Sequence, residues 1–98
     1  MARPVVLSQT GVGQTAWVRI DWRARDPKFT VTFAVQGTAT FNGEWTLDEP
    51  PNTVFVDTNA NGATANTYST WNSPVQYYRL NVTSGTGTVT MTIVQGGP

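Results

Sequence analysis

The chain has 98 residues, of which 39% are hydrophobic and 12% charged, with six basic and six acidic side chains and no net charge. That length suits one domain with one core, and the neutral balance leaves no electrostatic footprint for nucleic acid or an anionic membrane. Cysteine and histidine are absent, which excludes a disulfide framework, a thiolate site and the usual acid–base group of neutral-pH catalysis.

Seventeen residues are threonine, which is β-branched, fits strands and keeps a face wet without charge. The apolar run Val5-Val6-Leu7 is too short for a signal peptide, and no stretch approaches the roughly 20 apolar residues of a membrane span. Synthesis in a cytoplasm is the expectation.

Taken in order, residues 4–8, Pro-Val-Val-Leu-Ser, read as a short first strand or an arm, since Pro4 favours an edge or a terminus. Gln9 to Gln14 is a turn. Ala16 to Trp22 alternates, with Val18, Ile20 and Trp22 on one face and Trp17, Arg19 and Asp21 on the other, which predicts a strand. A charged turn follows at Arg23 to Pro27. Phe29, Val31, Phe33 and Val35 then point one way through a second strand that Gly37 ends. In a third, Ala39, Phe41, Trp45 and Leu47 mark the apolar face, and Gly43 lies on that face as the sign of a bulge or a crowded approach.

Residues 48–74 read as a long loop with a possible short strand at Thr53 to Val56. Irregular stretches of that length in a small domain usually carry function. Beyond it, Val75 to Tyr78 leads as one strand into Arg79 to Thr83, which alternates cleanly with Thr88 to Val94 about Ser84-Gly85-Thr86-Gly87, the pattern of a β-hairpin with one wet face. Short strands joined by Gly- and Pro-rich turns predict a single all-β domain over 1–98, a small antiparallel β-sandwich or jelly-roll-like barrel, with an N-terminal arm at 1–8 and the loop at 48–74.

Three motifs touch on chemistry. Asp57-Thr58-Asn59-Ala60-Asn61-Gly62 matches the first half of a calcium loop, but the twelfth position is Tyr68 rather than glutamate, and an Asn/Gly-rich turn explains it as well. Gly11-Val12-Gly13-Gln14-Thr15-Ala16 matches a dinucleotide fingerprint that works only ahead of a helix, and a strand follows here. Asn81-Val82-Thr83 is a glycosylation pattern inside a strand. Glu44 and Asp48 share the outer face of one strand, yet nothing else converges there, so both read as solvated surface. No metal, cofactor or catalytic residue is expected, and the chain reads as a non-enzyme.

Of the four tryptophans, Trp22 and Trp45 are in phase with apolar neighbours and read as core. Trp17 is out of phase and Trp71 lies in the loop, as does Tyr68. Exposed aromatics mark protein interfaces or sugar platforms. The candidate interface is therefore Arg3, Pro4, Val5 and Val6 of the arm, with Trp17, Tyr68 and Trp71.

The pattern Ser8-Gln9-Thr10-Gly11-Val12-Gly13, followed by Val18-Arg19-Ile20-Asp21-Trp22 and closing with Arg79 through Thr90, resembles short all-β virion structural proteins of tailed bacteriophages. The likeness is one of texture and turn placement and covers most of the chain outside 48–74. It implies a capsid decoration, or cement, protein on the outer head surface of the virion. Its partner would be the major capsid protein, and it would act as a homo-oligomer, commonly a trimer, without nucleic acid or membrane. A tail or neck component has the same texture, and a carbohydrate-binding module using Trp17, Trp71 and Tyr68 is the alternative from a different class.

Overall fold

The computed structural model describes residues 4–20, 28–47, 53–72 and 75–95. Among these described residues there are nine strands: β1 (Val5–Thr10), β2 (Gly13–Gln14), β3 (Val18–Arg19), β4 (Phe29–Gln36), β5 (Ala39–Thr46), β6 (Phe55–Val56), β7 (Thr67–Trp71), β8 (Tyr77–Gly85) and β9 (Thr88–Gln95). A three-residue 3₁₀ turn, Thr58–Ala60, lies between β6 and β7. Two antiparallel sheets pack face to face as an all-β sandwich. Sheet A has the order β1-β9-β4-β7, and sheet B the order β2-β8-β5-β6 with β3 also paired to β8.

The alternation read from the sequence fixes which side of each strand is buried. Phe29, Val31 and Phe33 of β4 and Val89, Met91 and Ile93 of β9 line one wall, and Phe41 of β5 with Tyr78, Leu80 and Val82 of β8 line the other. Fully burying one such side chain contributes about 1.5–3 kcal/mol. Phe33 and Phe41 meet across the gap with ring centroids 5.0 Å apart.

The stretch expected as a hairpin is not one. β8 pairs with β5, β2 and β3, whereas β9 pairs with β1 and β4. The turn at Thr86 and Gly87 therefore carries the chain from one sheet to the other, so the apolar faces of β8 and β9 look at each other across the core. β4 and β5 are joined in the same way through Gly37 and Thr38. Alternation specifies a buried face, but it does not say whether the partner of that face lies beside the strand or opposite it.

The two crossings pack against each other. Gly87 N–H donates to Thr38 O at 2.8 Å, and Gly11 N–H donates to Gly87 O at 3.0 Å. Gly85 has φ +99°, and a Cβ there would run into the Thr38 and Ala39 backbone. Only glycine meets both demands.

Other departures have local causes. The strand expected over Ala16 to Trp22 is two short pieces, because the segment from Gly13 to Ile20 follows β8 with a one-residue slip between Gln14↔Asn81 and Val18↔Tyr78. Asp21 and Trp22 lie outside the described residues. From Val5 onward the expected arm is edge strand β1, which pairs with β9 along its whole length. Residues 53–72, inside the expected loop, hold β6, the 3₁₀ turn and β7. The inward side chains of β7 are Thr67, Ser69 and Trp71, too polar a set to read as a strand. The bulge in the third predicted strand lies between Thr40 and Phe41, not at Gly43.

Gly85→Ala should lose about 1–3 kcal/mol from overpacking and an unfavourable φ. Thermal unfolding of the variant should show a midpoint lower by about 4–8 °C per kcal/mol lost.

Candidate interaction surfaces

Gly43 answers the crowding expected at its position. A Cβ on Gly43 would occupy the space of the Tyr78 hydroxyl. That hydroxyl, wholly buried, donates to Asp57 Oδ2 at 2.8 Å. The other oxygen, Asp57 Oδ1, accepts from Asn59 N–H at 3.0 Å and caps the 3₁₀ turn. Asp57 N–H donates to Gly43 O at 2.7 Å, and Ala60 N–H to Asp57 O at 2.9 Å. Burial is the chief reason the Tyr78 phenol is pushed far above its ordinary pKa, with the Asp57 charge and hydrogen bond adding to it.

The calcium reading of Asp57 to Gly62 therefore fails on geometry. Asp57 is 3% exposed and spends both oxygens inside the protein. The described residues hold no group of three or more Asp, Glu, His or Cys placed to bind a metal. The segment is a capped turn that ties the 57–62 chain to sheet B: Gly62 N–H donates to Asn42 Oδ1 at 2.6 Å, and Ala63 exchanges both backbone bonds with Phe41. The dinucleotide reading fails as well, since Gly11 opens the turn from β1 into β2 and no helix follows.

Glu44 corrects the expectation of a solvated carboxylate. It is 7% exposed on the outer side of sheet B. Its Oε1 takes the Arg79 Nε–H at 2.7 Å and its Oε2 the Asn81 Nδ2–H at 2.9 Å. The Arg79 guanidinium lies 4.2 Å from the centroid of the Trp17 ring, which meets Tyr77 edge-on. Trp17 thus covers a charge-assisted cross-strand network. Period two placed Glu44, Arg79 and Asn81 on one face, but only the sheet pairing makes them neighbours. Asp48 lies outside the described residues.

Trp71 points inward. It stacks on Phe29 at 5.8 Å with ring planes 5° apart and meets Trp45 edge-on at 5.4 Å. Trp45 is half-buried, packs on the core as expected and stacks on Phe55. The Trp71 Nε1–H is buried and has no partner among the described residues.

The six candidate interface residues that the structure describes consequently do not form one site. Arg3 lies outside the described residues. Pro4 is exposed ahead of β1, Val5 faces the Ile93 side of that edge, and Val6 and Tyr68 lie on the outer face of sheet A. Trp17 covers the outer side of sheet B, and Trp71 belongs to the core wall. Trp17, Trp71 and Tyr68 share no face on which a sugar could lie.

What the structure does assemble is the outer face of sheet A. The chain's six basic and six acidic residues all lie outside its four strands. The face is tiled with hydroxyls that pair across strands: Ser8 with Thr90 at 3.0 Å, Thr10 with Thr88 at 2.8 Å and Thr30 with Thr70 at 3.4 Å. Beside Tyr68 a shallow depression of about 360 Å³ is lined by Thr32, Phe33, Ala34, Asn66 and Thr67. Asn66 Oδ1 accepts the Val35 N–H at 2.8 Å and thereby continues the β4 ladder past the end of β7.

The chain matches no protein-family model, no curated protein and no solved structure.

Two variants report on the buried groups. Tyr78→Phe leaves Asp57 Oδ2 buried without its donor and should cost about 1–3 kcal/mol at neutral pH. The folded protein keeps this phenol neutral, whereas the unfolded chain ionises it near its ordinary value of 10.0. Its contribution is complete below that pH and declines above it, by up to about 1.4 kcal/mol per pH unit. Stability measured against pH should therefore fall less steeply above pH 10 in Tyr78→Phe than in the wild type. Separately, Glu44→Gln removes the charge facing Arg79, and urea unfolding should show a loss of about 1–3 kcal/mol.

Proposed function

We propose that the protein is a non-enzymatic structural component of a phage virion, a capsid decoration protein that binds the outer head surface and stabilises it. The major capsid protein is its partner, and it acts as a homo-oligomer, with a trimer the expected state. The observation that carries this reading is the outer face of sheet A. A broad, regular and uncharged sheet surface, fixed on a rigid sandwich, suits attachment in a crowded symmetric lattice, where like charges repeated at close spacing would repel. Its hydroxyl and methyl groups offer neutral hydrogen bonding and apolar contact together, the mixed character of protein interfaces. The resemblance in texture and turn placement to phage virion proteins supports the same reading.

The test is sedimentation of purified protein with emptied heads and, separately, with tails of the phage that encodes it. Saturable binding to heads, in a fixed ratio to the major capsid protein and with a raised thermal midpoint of the head, is the expected result. Binding to tails alone would reassign the protein to the tail, and binding to neither would overturn the virion reading.

A further inference from the structure

Among the described residues sheet A ends in two strands, β1 and β7, whose own sequences carry none of the usual edge guards, although the 3₁₀ turn packs beside β7, with Thr67 Oγ1 donating to Asn59 O at 3.2 Å. β1 has six residues and β7 five; neither carries a charge or a proline within it, and the one register irregularity between long strands lies in sheet B. Exposed edges are normally blunted by shortness, charge, proline or bulges, because open N–H and C=O groups template pairing with another chain. Sheet B follows that rule, since β2, β3 and β6 have two residues each. The contrast lies within one molecule, so composition alone does not account for it.

A second observation comes from the register. Val6 pairs with Thr92, Thr92 with Thr32, and Thr32 with Tyr68, so these four side chains form one row across the outer face. The middle of the row is threonine. Its two ends are Val6, 57% exposed, and Tyr68, 66% exposed. A row that ends in a valine on one edge and a tyrosine on the other is complementary to a copy of itself, because aromatic and β-branched residues are favourable cross-strand partners.

Strand direction permits the match. β1 runs parallel to β4 through two antiparallel steps, and β7 runs antiparallel to β4. A neighbour rotated about an axis along the strands therefore brings its β1 antiparallel to β7. At level register Val5 lies opposite Ser69, Val6 opposite Tyr68 and Leu7 opposite Thr67.

We infer that sheet A continues from one copy of the chain to the next, β1 of one copy adding antiparallel to β7 of its neighbour with Val6 against Tyr68. The contact is head-to-tail, so it closes into a ring when the rotation per copy divides the circle and extends as a fibre when it does not. It specifies how copies meet and holds whether or not they meet on a capsid.

The absence of cysteine makes a direct test available. The test protein carries Val6→Cys and Tyr68→Cys together. Within one chain these positions are three strand spacings apart, roughly 14 Å, beyond the 7 Å or so that a disulfide can bridge between Cα atoms. Mild oxidation should therefore give a ladder of covalent dimers and higher species. Mass spectrometry should find position 6 of one copy linked to position 68 of another. Val12→Cys with Tyr68→Cys, equally exposed but in the turn after β1, should give no such ladder.

In parallel, light scattering should find wild-type oligomers and a monomeric Val6→Lys/Tyr68→Lys variant that still unfolds cooperatively, its thermal midpoint lowered only by the lost association and, unlike that of the wild type, independent of concentration. Links of 6 to 6 and 68 to 68 alone would overturn the inference in favour of two-fold edge pairing. A wild type that stays monomeric at millimolar concentration with no 6-to-68 link, or lysine variants that keep the oligomer, would overturn it outright. Failure to bind heads bears only on the capsid reading.

Discussion

The hydrogen bond from Tyr78 to Asp57 is the constraint on which much of the sandwich depends. It lies where three chain segments meet: β8 supplies the phenol, β5 makes room for it with Gly43, and the turn after β6 supplies the carboxylate. A buried carboxylate is costly unless its oxygens are engaged. Here one oxygen is spent on the phenol and the other on the Asn59 N–H that starts the 3₁₀ turn. The same residue therefore ties down a segment with few apolar side chains of its own. Without it, the path from sheet B at β6 to sheet A at β7 would have only Ala60 buried in the core. The path into β7, and with it the second edge of sheet A, rests on this polar bond together with the packing of Trp71 on Phe29 and Trp45.

The two sheets solve their outer faces differently. Sheet B carries Arg19, Glu44 and Arg79 and buries the Glu44–Arg79 pair beneath Trp17, and its edges are two-residue strands. Sheet A has no charge, long edges and hydroxyls paired to one another. Paired hydroxyls satisfy part of their hydrogen bonding within the face. Such a surface costs less to desolvate than a charged one, because neither lysine nor carboxylate must give up water.

Much of this was legible in the residues and some was not. The inward sets of β4, β8 and β9 followed from period two, as did Ala39, Phe41, Trp45 and the unusual place of Gly43 in β5; the expectation failed at the end of that strand, where Leu47 is exposed and Thr46 is buried. Pairing was hidden: Leu80, Val82, Val89, Met91 and Ile93 have the same pattern whether their strands lie side by side or face to face, and Gly85 and Gly87 suit either turn. Glu44 looked solvated because its two partners are 35 and 37 residues away in sequence. Asp57 looked like a calcium ligand because capping and metal binding both favour Asp followed by Asn and Gly. β7 was invisible since it turns Thr67 and Ser69 inward, polar residues that break the apolar period. Val6 and Tyr68 were both singled out as candidate contacts, but only the ladder through Thr92 and Thr32 shows that they end one row.

The low charge content acquires a physical sense from this arrangement. In a chain with one charged residue in eight, random placement would put some on four strands that together make up over a quarter of the residues, and none is there. A monomer that merely needed solubility would gain from lysine or glutamate on an exposed sheet, and its edges would gain most. Neither is present. Core packing does not demand this omission, because the outer positions of β1, β4, β7 and β9 do not face the core, and strand propensity does not demand it either, since charged residues are tolerated on wet faces. The contact with other protein proposed above would favour an uncharged face with open edges, because every buried charge would need a partner placed to meet it.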